Sequence, residues 1–530
     1  MKQTRYPHSN HNHYQTDYEI GQDNIEIWGM DIHHPVFFIS ATLILLFVSA
    51  SLLFPEIANS WLNTAKTWCI DHFDWFFMSS ASLVLIFCIA LMLLPLGKIR
   101  LGGDAAKPEF SRLSWFAMLF AAGMGIGLMF WSVAEPIAYY TGWGGTPLNL
   151  PPFSARAADM ALPATLYHWG LHAWAIYAVV GLSLAFFCYN KGLPLTVRSA
   201  FYPILGDRIW GWWGHIIDIT AVLATIFGLA TSLGFGANQA TSGLHFLFGV
   251  ANSLQTKIII VCGVTFFAVL SVVRGLEGGV RILSNINISL AAGLLLLVFI
   301  VGPTVHILQG MLITGEEYLV NLVPLSNWID RPDEQWMHGW SVFYWAWWVS
   351  WSPFVGMFIA RISKGRTVRE FLFAVLIVPT LVTLVWMSVF GISALEQSQE
   401  GVGQLAKGID KVSLSTFHLL EHLPWTSFTS LLAVVLVIVF FITSSDSGSL
   451  VIDSITSGGK LDAPVPQRIF WAVMEGMIAL VLLVGGGKAA LGALQAGAIT
   501  TGLPFTLVLL VMVVSLSKGL LSERPLLRRR

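Results

Sequence analysis

The sequence has few charged residues for its length. Only 11% of its 530 residues are Asp, Glu, Lys or Arg, and their formal charges nearly cancel to a net charge of -1. Such a chain lacks the basic surface with which proteins neutralise phosphates, so we exclude nucleic acid as a partner. A composition that is 55% hydrophobic and poor in charge is typical of a protein embedded in a lipid bilayer.

Cysteines and catalytic motifs are equally scarce. The four cysteines are scattered and fit no metal-ligand spacing, so we interpret them as small apolar residues (Cys69, Cys88, Cys188 and Cys262). The sequence has no catalytic triad, phosphate loop or metal-binding motif, which predicts that the protein is not an enzyme and needs no cofactor. The polar N-terminus has no cleavable signal pattern, so we expect the first helix to insert as its own anchor.

The sequence does contain repeated uncharged runs of about 20 residues, the length with which a helix crosses the hydrocarbon core. They predict an all-α polytopic membrane protein with twelve spans. These lie near residues 36–54, 77–95, 115–140, 159–188, 212–241, 256–273, 286–310, 338–362, 369–393, 427–458, 466–488 and 490–516.

Basic residues are distributed unequally between alternate connecting segments. With the N-terminus inside, 22 of the 29 Lys and Arg residues fall on the cytoplasmic side and 7 on the outside. The positive-inside rule therefore predicts that both termini are cytoplasmic. We interpret residues 1–35 as a flexible cytoplasmic tail, and residues 517–530 as a short basic tail that seats the last helix at the anionic inner leaflet.

The segment 311–337 is acidic and amphipathic, which predicts an outside helix lying in the membrane interface. It separates two sets of five spans, residues 115–310 and 338–516, and two peripheral spans at 36–95 precede them. Two sets of five with opposite orientation are typical of an inverted-repeat transporter, in which each repeat begins with an interrupted helix. The third and eighth spans have the most Gly or Pro disruption and are the predicted interrupted helices.

In the third span the predicted break lies at Gly123, Gly125 and Gly127. Each glycine lowers helix propensity by roughly 1 kcal/mol, so we expect the segment to unwind and turn carbonyls towards an ion or substrate. Close helix packing through small residues is the alternative. Glu135 follows in the same span, and we expect it to brace the break because an acid at this depth needs partners.

Aromatic residues cluster inside the fourth and eighth spans, away from their ends. Trp169, Trp174 and Tyr177 lie towards one side of the fourth span. The eighth span crowds four tryptophans into seven positions and follows them with Ser352 and Pro353 (Trp345, Trp347, Trp348 and Trp351). Rings converging from the two spans would form a box for a quaternary ammonium group through cation–π attraction; an interfacial aromatic belt is the alternative.

The tenth span has a polar stretch at 443–449. The hydroxyls of Thr443 and Ser444 and the carbonyl of Phe440 would form half an oxygen cage of the kind that sodium prefers. The alternative is that these hydroxyls bond back to carbonyls of their own helix. Asp446 is a candidate functional residue because a lone acid inside a span is costly.

Four segments together resemble the betaine/carnitine/choline transporter family, and the similarity extends over about residues 30–515. They are GMGIGLMFWSVAEP (123–136), HWGLHAWAIY (168–177), FYWAWWVSWSPFVGMFIARISKGR (343–366) and TSSDSGS (443–449). The resemblance implies a LeuT-type 5+5 inverted repeat preceded by two extra helices, a homotrimer in a bacterial inner membrane, and uptake of trimethylammonium compounds by alternating access.

Carried over residue by residue, the resemblance also implies the binding residues. The substrate box falls on Trp169, Trp174, Tyr177 and Trp348, with Trp351 holding substrate on its way to the cytoplasm. The sodium site falls on the carbonyls of Ala121, Met124 and Phe440 and the hydroxyls of Thr443 and Ser444, and Met124 also borders the substrate.

The resemblance favours sodium over proton coupling, because proton-coupled choline carriers have an Asp where this chain has Gly127. The second sodium site of the betaine symporters is matched at Thr225 and Phe354, but Leu229 replaces its second threonine. We therefore expect one sodium per substrate, or a second site that uses Ser232. Osmosensing members have a longer charged C-terminal extension, so strong osmotic activation is not expected.

The function predicted from the sequence is sodium-coupled symport of glycine betaine or a close relative such as dimethylsulfoniopropionate. A sodium-independent exchanger of carnitine-like compounds and a choline symporter are the nearest alternatives. A channel would need a continuous polar stripe on several helices and a sensor would need a sizeable soluble output domain, and the sequence has neither.

Overall fold

The computed structural model describes residues 13–123, 125–274 and 281–523, without the side chains of residues 120–123, 281 and 488. Within the segment predicted to be a flexible tail, two strands form an antiparallel hairpin, β1 (Asn24–Ile27) and β2 (Met30–His33). The two turn residues, Trp28 and Gly29, both have positive φ angles of 50° and 74°, as the tight turns of twisted hairpins require. The expectation of flexibility is therefore wrong for residues 24–33.

The first two helices are α1 (His34–Leu53) and α2 (Pro55–Leu93). Pro55 occupies the first position of α2, where a missing N–H is tolerated. The 39 residues of α2 exceed the length needed for one crossing, and the helix kinks at Phe73, whose φ and ψ angles are -132° and 15°. The predicted span 77–95 is only the second half of this helix.

The first set of five spans contains two interrupted helices. The third span is split into α3 (Arg112–Gly123) and α4 (Ile126–Thr141), as its glycines predicted. The fourth is split at Gly170, which the sequence analysis did not predict. Its two parts and the rest of the set are α5 (Ala155–Trp169), α6 (Leu171–Tyr189), the short α7 (Tyr202–Leu205), α8 (Trp212–Phe248), α9 (Leu254–Arg274) and α10 (Arg281–Val301).

The amphipathic helix between the two sets is α11 (Thr304–Ser326). Our predicted boundaries, a span over 286–310 and an interfacial helix over 311–337, are wrong. Pro303 lacks the N–H that would continue α10, and the new helix begins directly after it.

The second set begins with α12 (Glu334–Trp336), a π-helical turn (Met337–Ser341) and α13 (Val342–Ile362). The predicted break at Ser352–Pro353 is wrong, because α13 is continuous there. Ser352 Oγ donates a 2.7 Å hydrogen bond to the carbonyl of Val349, whose usual partner would be the N–H that proline lacks. The set continues with α14 (Val368–Gln399), α15 (Ser415–Glu421), α16 (Thr426–Thr456), α17 (Val465–Gly486) and α18 (Ala490–Ser522).

Among the described residues, ten helical segments are long and apolar enough to cross a membrane, with α5 and α6 taken together. The two predicted spans outside this group are the third and the eighth. The third is divided into pieces too short to cross, and tryptophan, serine and proline lower the mean hydropathy of α13. The third span and α13 both line the central cavity. Their glycines and tryptophans therefore form part of the wall of that cavity.

Connecting segments that were predicted to share a side of the membrane meet in the structure. At one end, Asn24 Nδ2 of the hairpin donates to the carbonyl of Ser457 after α16, at 2.9 Å. At the other end, the N–H of Leu148 donates to Asp333 Oδ2 before α12, at 2.7 Å. The hairpin and the end of α16 therefore lie at one end of the helices, and the segments around Leu148 and Asp333 lie together at another.

Candidate functional site

A small cavity with about 30 Å³ of free space lies where the break between α3 and α4 faces the middle of α13. This free space is far below the range for occupied small-molecule sites, so the rings around the cavity are closed on one another. Aromatic rings form most of its wall, and the start of α4 and Ser232 of α8 form the remainder. The lining residues are Gly125, Ile126, Gly127, Trp169, Tyr177, Ser232, Trp347, Trp348 and Trp351.

The structure brings together the four rings that were predicted to form a box. The ring centroid of Trp348 lies 5.5 Å from that of Trp169, 6.1 Å from Trp174 and 4.9 Å from Tyr177. All four side chains are buried, which excludes the alternative of an interfacial aromatic belt. Trp174 lies behind Trp348 and Tyr177 and does not line the cavity.

Packing at the start of α4 explains why one of the three glycines, Gly127, cannot carry a side chain. A Cβ atom on Gly127 would lie 2.6 Å from Cη2 of both Trp169 and Trp347, closer than real side chains approach. A Cβ on Gly125 would lie 3.8 Å from Trp351, in ordinary contact. Gly127 therefore lets two indole rings reach the backbone of the broken helix. Of Gly123 only the helical backbone is described.

The N-terminus of α4 borders the same cavity, because Gly125, Ile126 and Gly127 line it. Gly125 is the N-cap residue, and no side chain among the described residues caps the helix there. Free amide groups and the helix dipole make such an end attractive to a negative charge. The cavity thus combines electron-rich rings with a partial positive charge.

Glu135 braces the site from behind. Its carboxylate is fully buried and accepts hydrogen bonds from Tyr139 Oη at 2.7 Å, His168 Nδ1 at 2.9 Å, Trp169 Nε1 at 2.9 Å and Tyr344 Oη. Four donors around one buried carboxylate satisfy its oxygens with protein partners. The carboxylate fixes the orientation of Trp169, as expected for a residue that braces the break without lining the cavity.

Beyond this carboxylate, aromatic side chains fill the space towards the end that contains Leu148 and Asp333. The ring centroid of Trp340 lies 5.2 Å from Trp131 and 4.9 Å from Tyr139. All three are buried, so the cavity is covered on this side.

On the opposite side a larger vestibule, with a volume of about 1350 Å³ including open solvent, lies between α3, α10, α13 and α16. Trp351 lines both spaces and separates them. The vestibule lies towards the end of the molecule that contains the hairpin. It is lined by α3, which extends from the break towards that end. Its polar wall includes Ser114, Asn285 and Asn287.

The predicted sodium ligands on α16 lie in this vestibule. Phe440, Thr443 and Ser444 all line it, and Thr443 Oγ1 donates to the carbonyls of Val439 and Phe440 at 3.0 and 3.2 Å. For Thr443 the structure thus shows the alternative considered above, in which the hydroxyl bonds to carbonyls of its own helix. Met124 lies outside the described residues, and of Ala121 only the helical backbone is described.

All three residues suggested for a second sodium site belong to the described part of the chain. Thr225 Oγ1 donates to the carbonyl of Ala221 at 2.7 Å, and Phe354 lines the vestibule. Ser232 lines the central cavity, where its hydroxyl accepts a 3.1 Å hydrogen bond from Trp347 Nε1. Ser232 and Trp347 therefore line the cavity, whereas our sequence analysis considered Ser232 only for a second sodium site and named Trp347 only as part of the tryptophan cluster.

These observations define a multi-pass membrane protein of the transporter class, with a buried aromatic cavity that one indole ring separates from a vestibule. The family model described as "BCCT, betaine/carnitine/choline family transporter" matches residues 35–525. The chain belongs to this family, and it is a transporter and not an enzyme.

Three relatives show how close the similarity is. The chain is 61% identical to a glycine betaine/proline/choline/ectoine transporter of Vibrio parahaemolyticus, over 96% of this chain and 91% of that one. It is 60% identical to glycine betaine transporter 1 of the same species, over 96% and 98%. It is 43% identical to the glycine betaine transporter OpuD of Bacillus subtilis, over 89% and 91%.

Proposed function

We propose that this protein takes up quaternary ammonium or sulfonium compatible solutes, with glycine betaine as the main substrate, by sodium-coupled symport. The observation that carries the proposal is the convergence of Trp169, Tyr177 and Trp348 at the cavity. A methylated onium head cannot donate hydrogen bonds, so ring faces attract it more selectively than carboxylates would. The three relatives described above are named as transporters of glycine betaine, which supports this substrate class.

The start of α4 supports a zwitterion as substrate. With the onium head against the rings, the carboxylate of glycine betaine would be attracted to the N–H groups of Ile126 and Gly127. Choline has no carboxylate for this end of the helix. We therefore expect glycine betaine to bind more tightly than choline, although both would use the same rings.

The box rings touch one another, with centroids 4.9 to 6.1 Å apart. A cation is attracted by each ring when it lies within about 6 Å of the centroid, and it needs van der Waals clearance from all of them. Substrate binding would therefore separate Trp348 from Trp169 and Tyr177. Such a movement would couple occupancy of the cavity to the packing of α13.

Sodium is the coupling ion in this proposal. The carbonyl of Phe440 and the hydroxyls of Thr443 and Ser444 would bind it together with the carbonyls of Ala121 and Met124. The lining of the vestibule by Thr443 and Ser444 supports a route by which the ion leaves. An ion between α3 and α16 would stabilise the break that positions the start of α4.

The proposed transport cycle is alternating access in a LeuT-type fold. The helices α3 to α10 and α13 to α18 would form two inverted repeats, and the location of the cavity between α4 and α13, which begin the two sets, supports this arrangement. One side of the cavity is covered and the other leads to a vestibule, as expected of a single state in such a cycle. We further propose a homotrimer in a bacterial inner membrane with both termini in the cytoplasm.

The test is uptake of radiolabelled glycine betaine into proteoliposomes with and without an inward sodium gradient. We expect uptake to depend on sodium and Thr443→Ala to raise the sodium concentration needed for half-maximal rate. Thr429→Ala is the matched control, because Thr429 also bonds back to carbonyls of α16 but does not line the vestibule. Transport that is unaffected by removing sodium would refute the coupling.

A sodium-independent exchanger is the second candidate, because Thr443 bonds back to its own helix. Counterflow in sodium-free vesicles distinguishes the two. Vesicles loaded with unlabelled solute should accumulate label without sodium if the protein is an exchanger, and should fail to do so if it is a symporter.

A further inference from the structure

Three potential metal ligands meet at the outer start of α13, well away from the cavity. His338 Nε2 lies 2.9 Å from Asp74 Oδ2 and 3.9 Å from Glu334 Oε1. All three ligand atoms lie within 4.8 Å of one another. They come from two separate parts of the fold, because Asp74 belongs to α2 whereas Glu334 and His338 precede α13.

Local backbone irregularities place these side chains. Asp74 directly follows the kink at Phe73, and its other carboxylate oxygen accepts the N–H of Trp75. His338 lies in the π-helical turn, a feature that often occurs at functional sites. Glu334 is one helical turn before His338, so both can face the same ion.

The charges of the cluster are unbalanced. In the described part of the chain, the ion-pair partner of both Asp74 and Glu334 is the same imidazole. The neighbouring acid Asp333 is instead paired with Arg331 at 2.8 Å. Two carboxylates therefore share one ring that carries at most a single positive charge, which leaves a net negative charge for a cation to neutralise.

Access and ligand type indicate which cation would bind. The Asp74 and His338 side chains are 21% and 24% exposed and that of Glu334 is 71% exposed, so an ion can reach them from solvent. One imidazole and two carboxylates suit zinc-class ions, whereas magnesium and calcium prefer oxygen ligands alone. Zinc ligands are about 3.3 Å apart in a tetrahedral site, since each lies about 2 Å from the metal. The separations of His338 Nε2 from Asp74 and Glu334, 2.9 and 3.9 Å, lie on either side of that value.

We propose that Asp74, Glu334 and His338 bind one divalent zinc-class ion, which joins α2 to the outer start of α13. Water would complete the coordination, as in sites with three protein ligands. Because α13 contains Trp348, an ion that holds its first turn against α2 would restrict movements of α13. Zinc outside the cell would then slow transport.

The test is titration of zinc into the full chain, purified in detergent with its affinity tag cut off and in excess magnesium, followed by calorimetry. We expect one zinc ion whose affinity falls at least about tenfold in His338→Ala and in Glu334→Gln, in line with the cost of losing a residue that supports a metal site. The Glu334 variant is the safer one for folding because its side chain is exposed. His306→Ala is the matched control, since His306 pairs with a single carboxylate, Glu396, at 2.9 Å.

Zinc binding in the wild type that both variants retain would overturn the proposal and assign the ion to another site, such as the histidines before residue 14. Absence of zinc binding in the wild type, or its loss in magnesium, would also overturn it. In vesicles, zinc that slows wild-type and His306→Ala uptake but not Glu334→Gln uptake would support the restriction of α13. Equal slowing of all three would refute that restriction.

Discussion

At the scale of single residues, the site depends on rings that are held by buried polar groups. Glu135 orients Trp169 and Tyr344, and Ser232 orients Trp347. Each of these bonds lies in a buried environment, where an unpaired polar group is costly. Small changes behind the rings should therefore alter substrate binding as strongly as changes in the rings themselves.

Replacing Trp348 by Leu should sharply reduce uptake of glycine betaine at low substrate concentration. The ring contacts Trp169, Trp174 and Tyr177, and a desolvated cation–π contact contributes about 2 kcal/mol, which corresponds to a loss of about 30-fold in affinity. Betaine binding and uptake are measured, with size-exclusion chromatography as the control for unchanged assembly. Normal uptake by this variant would remove the ring from the proposed box.

Gly127→Ala should impair binding much more than Gly125→Ala. The added Cβ at Gly127 would lie 2.6 Å from two indole rings, whereas at Gly125 it would lie 3.8 Å from one. The backbone at Gly125 is extended, so alanine is tolerated there. Betaine affinity measured in parallel for the two variants checks the difference, and equal affinities would contradict the packing argument.

Glu135→Gln should weaken betaine binding by about tenfold or more. A hydrogen bond to a charged group contributes about 1.5–3 kcal/mol. Gln replaces one carboxylate oxygen by an NH₂ group, which would face a side chain that now donates a hydrogen bond to Glu135. Intrinsic tryptophan fluorescence should change in the same variant because Trp169 loses its fixed partner. Unchanged affinity and fluorescence would show that the carboxylate does not position the ring.

At the scale of elements, the hairpin attaches the N-terminal segment to one end of the helices. His33 of β2 is fully buried, and its Nε2 lies 3.5 Å from Arg198 Nη1. Burial, with the nearby Arg198 guanidinium, lowers the pKa of His33 to about 3. Asp23 lies 3.9 Å from the same nitrogen but is exposed, so solvent screens its opposing effect.

This lowered pKa predicts how attachment of the hairpin depends on pH. Detached, His33 would titrate near 6.5, so attachment is fully stable above that pH and loses about 1.4 kcal/mol per pH unit as the pH falls towards 3. Limited proteolysis of residues 13–33 between pH 7.5 and 5 measures this. His33→Gln should be cleaved at a rate that varies less with pH, and an equal pH dependence in both proteins would exclude His33 as the cause.

At the scale of the whole molecule, the cavity is covered on one side and faces a vestibule on the other. This asymmetry predicts from which side of the membrane an introduced cysteine can be labelled. In a background with the exposed Cys262 replaced by Ser, Ser447→Cys in the vestibule should be labelled by an impermeant thiol reagent in inside-out vesicles only. Gln335→Cys, on the exposed surface before α13, should be labelled in right-side-out vesicles only. The reverse pattern would contradict the proposed orientation.

The sequence by itself determined the class of the protein and the aromatic rings that meet at the cavity. Hydrophobic length specifies a membrane helix almost independently of its neighbours, and glycines at alternate positions weaken a helix locally, so the break before Gly125 could be predicted. Only the tertiary structure decided that Ser352 keeps α13 continuous through Pro353, that Ser232 belongs to the cavity and that residues 24–33 form a hairpin. These features depend on partners distant in sequence or on a choice between two competing hydrogen bonds, and composition and periodicity do not contain that information.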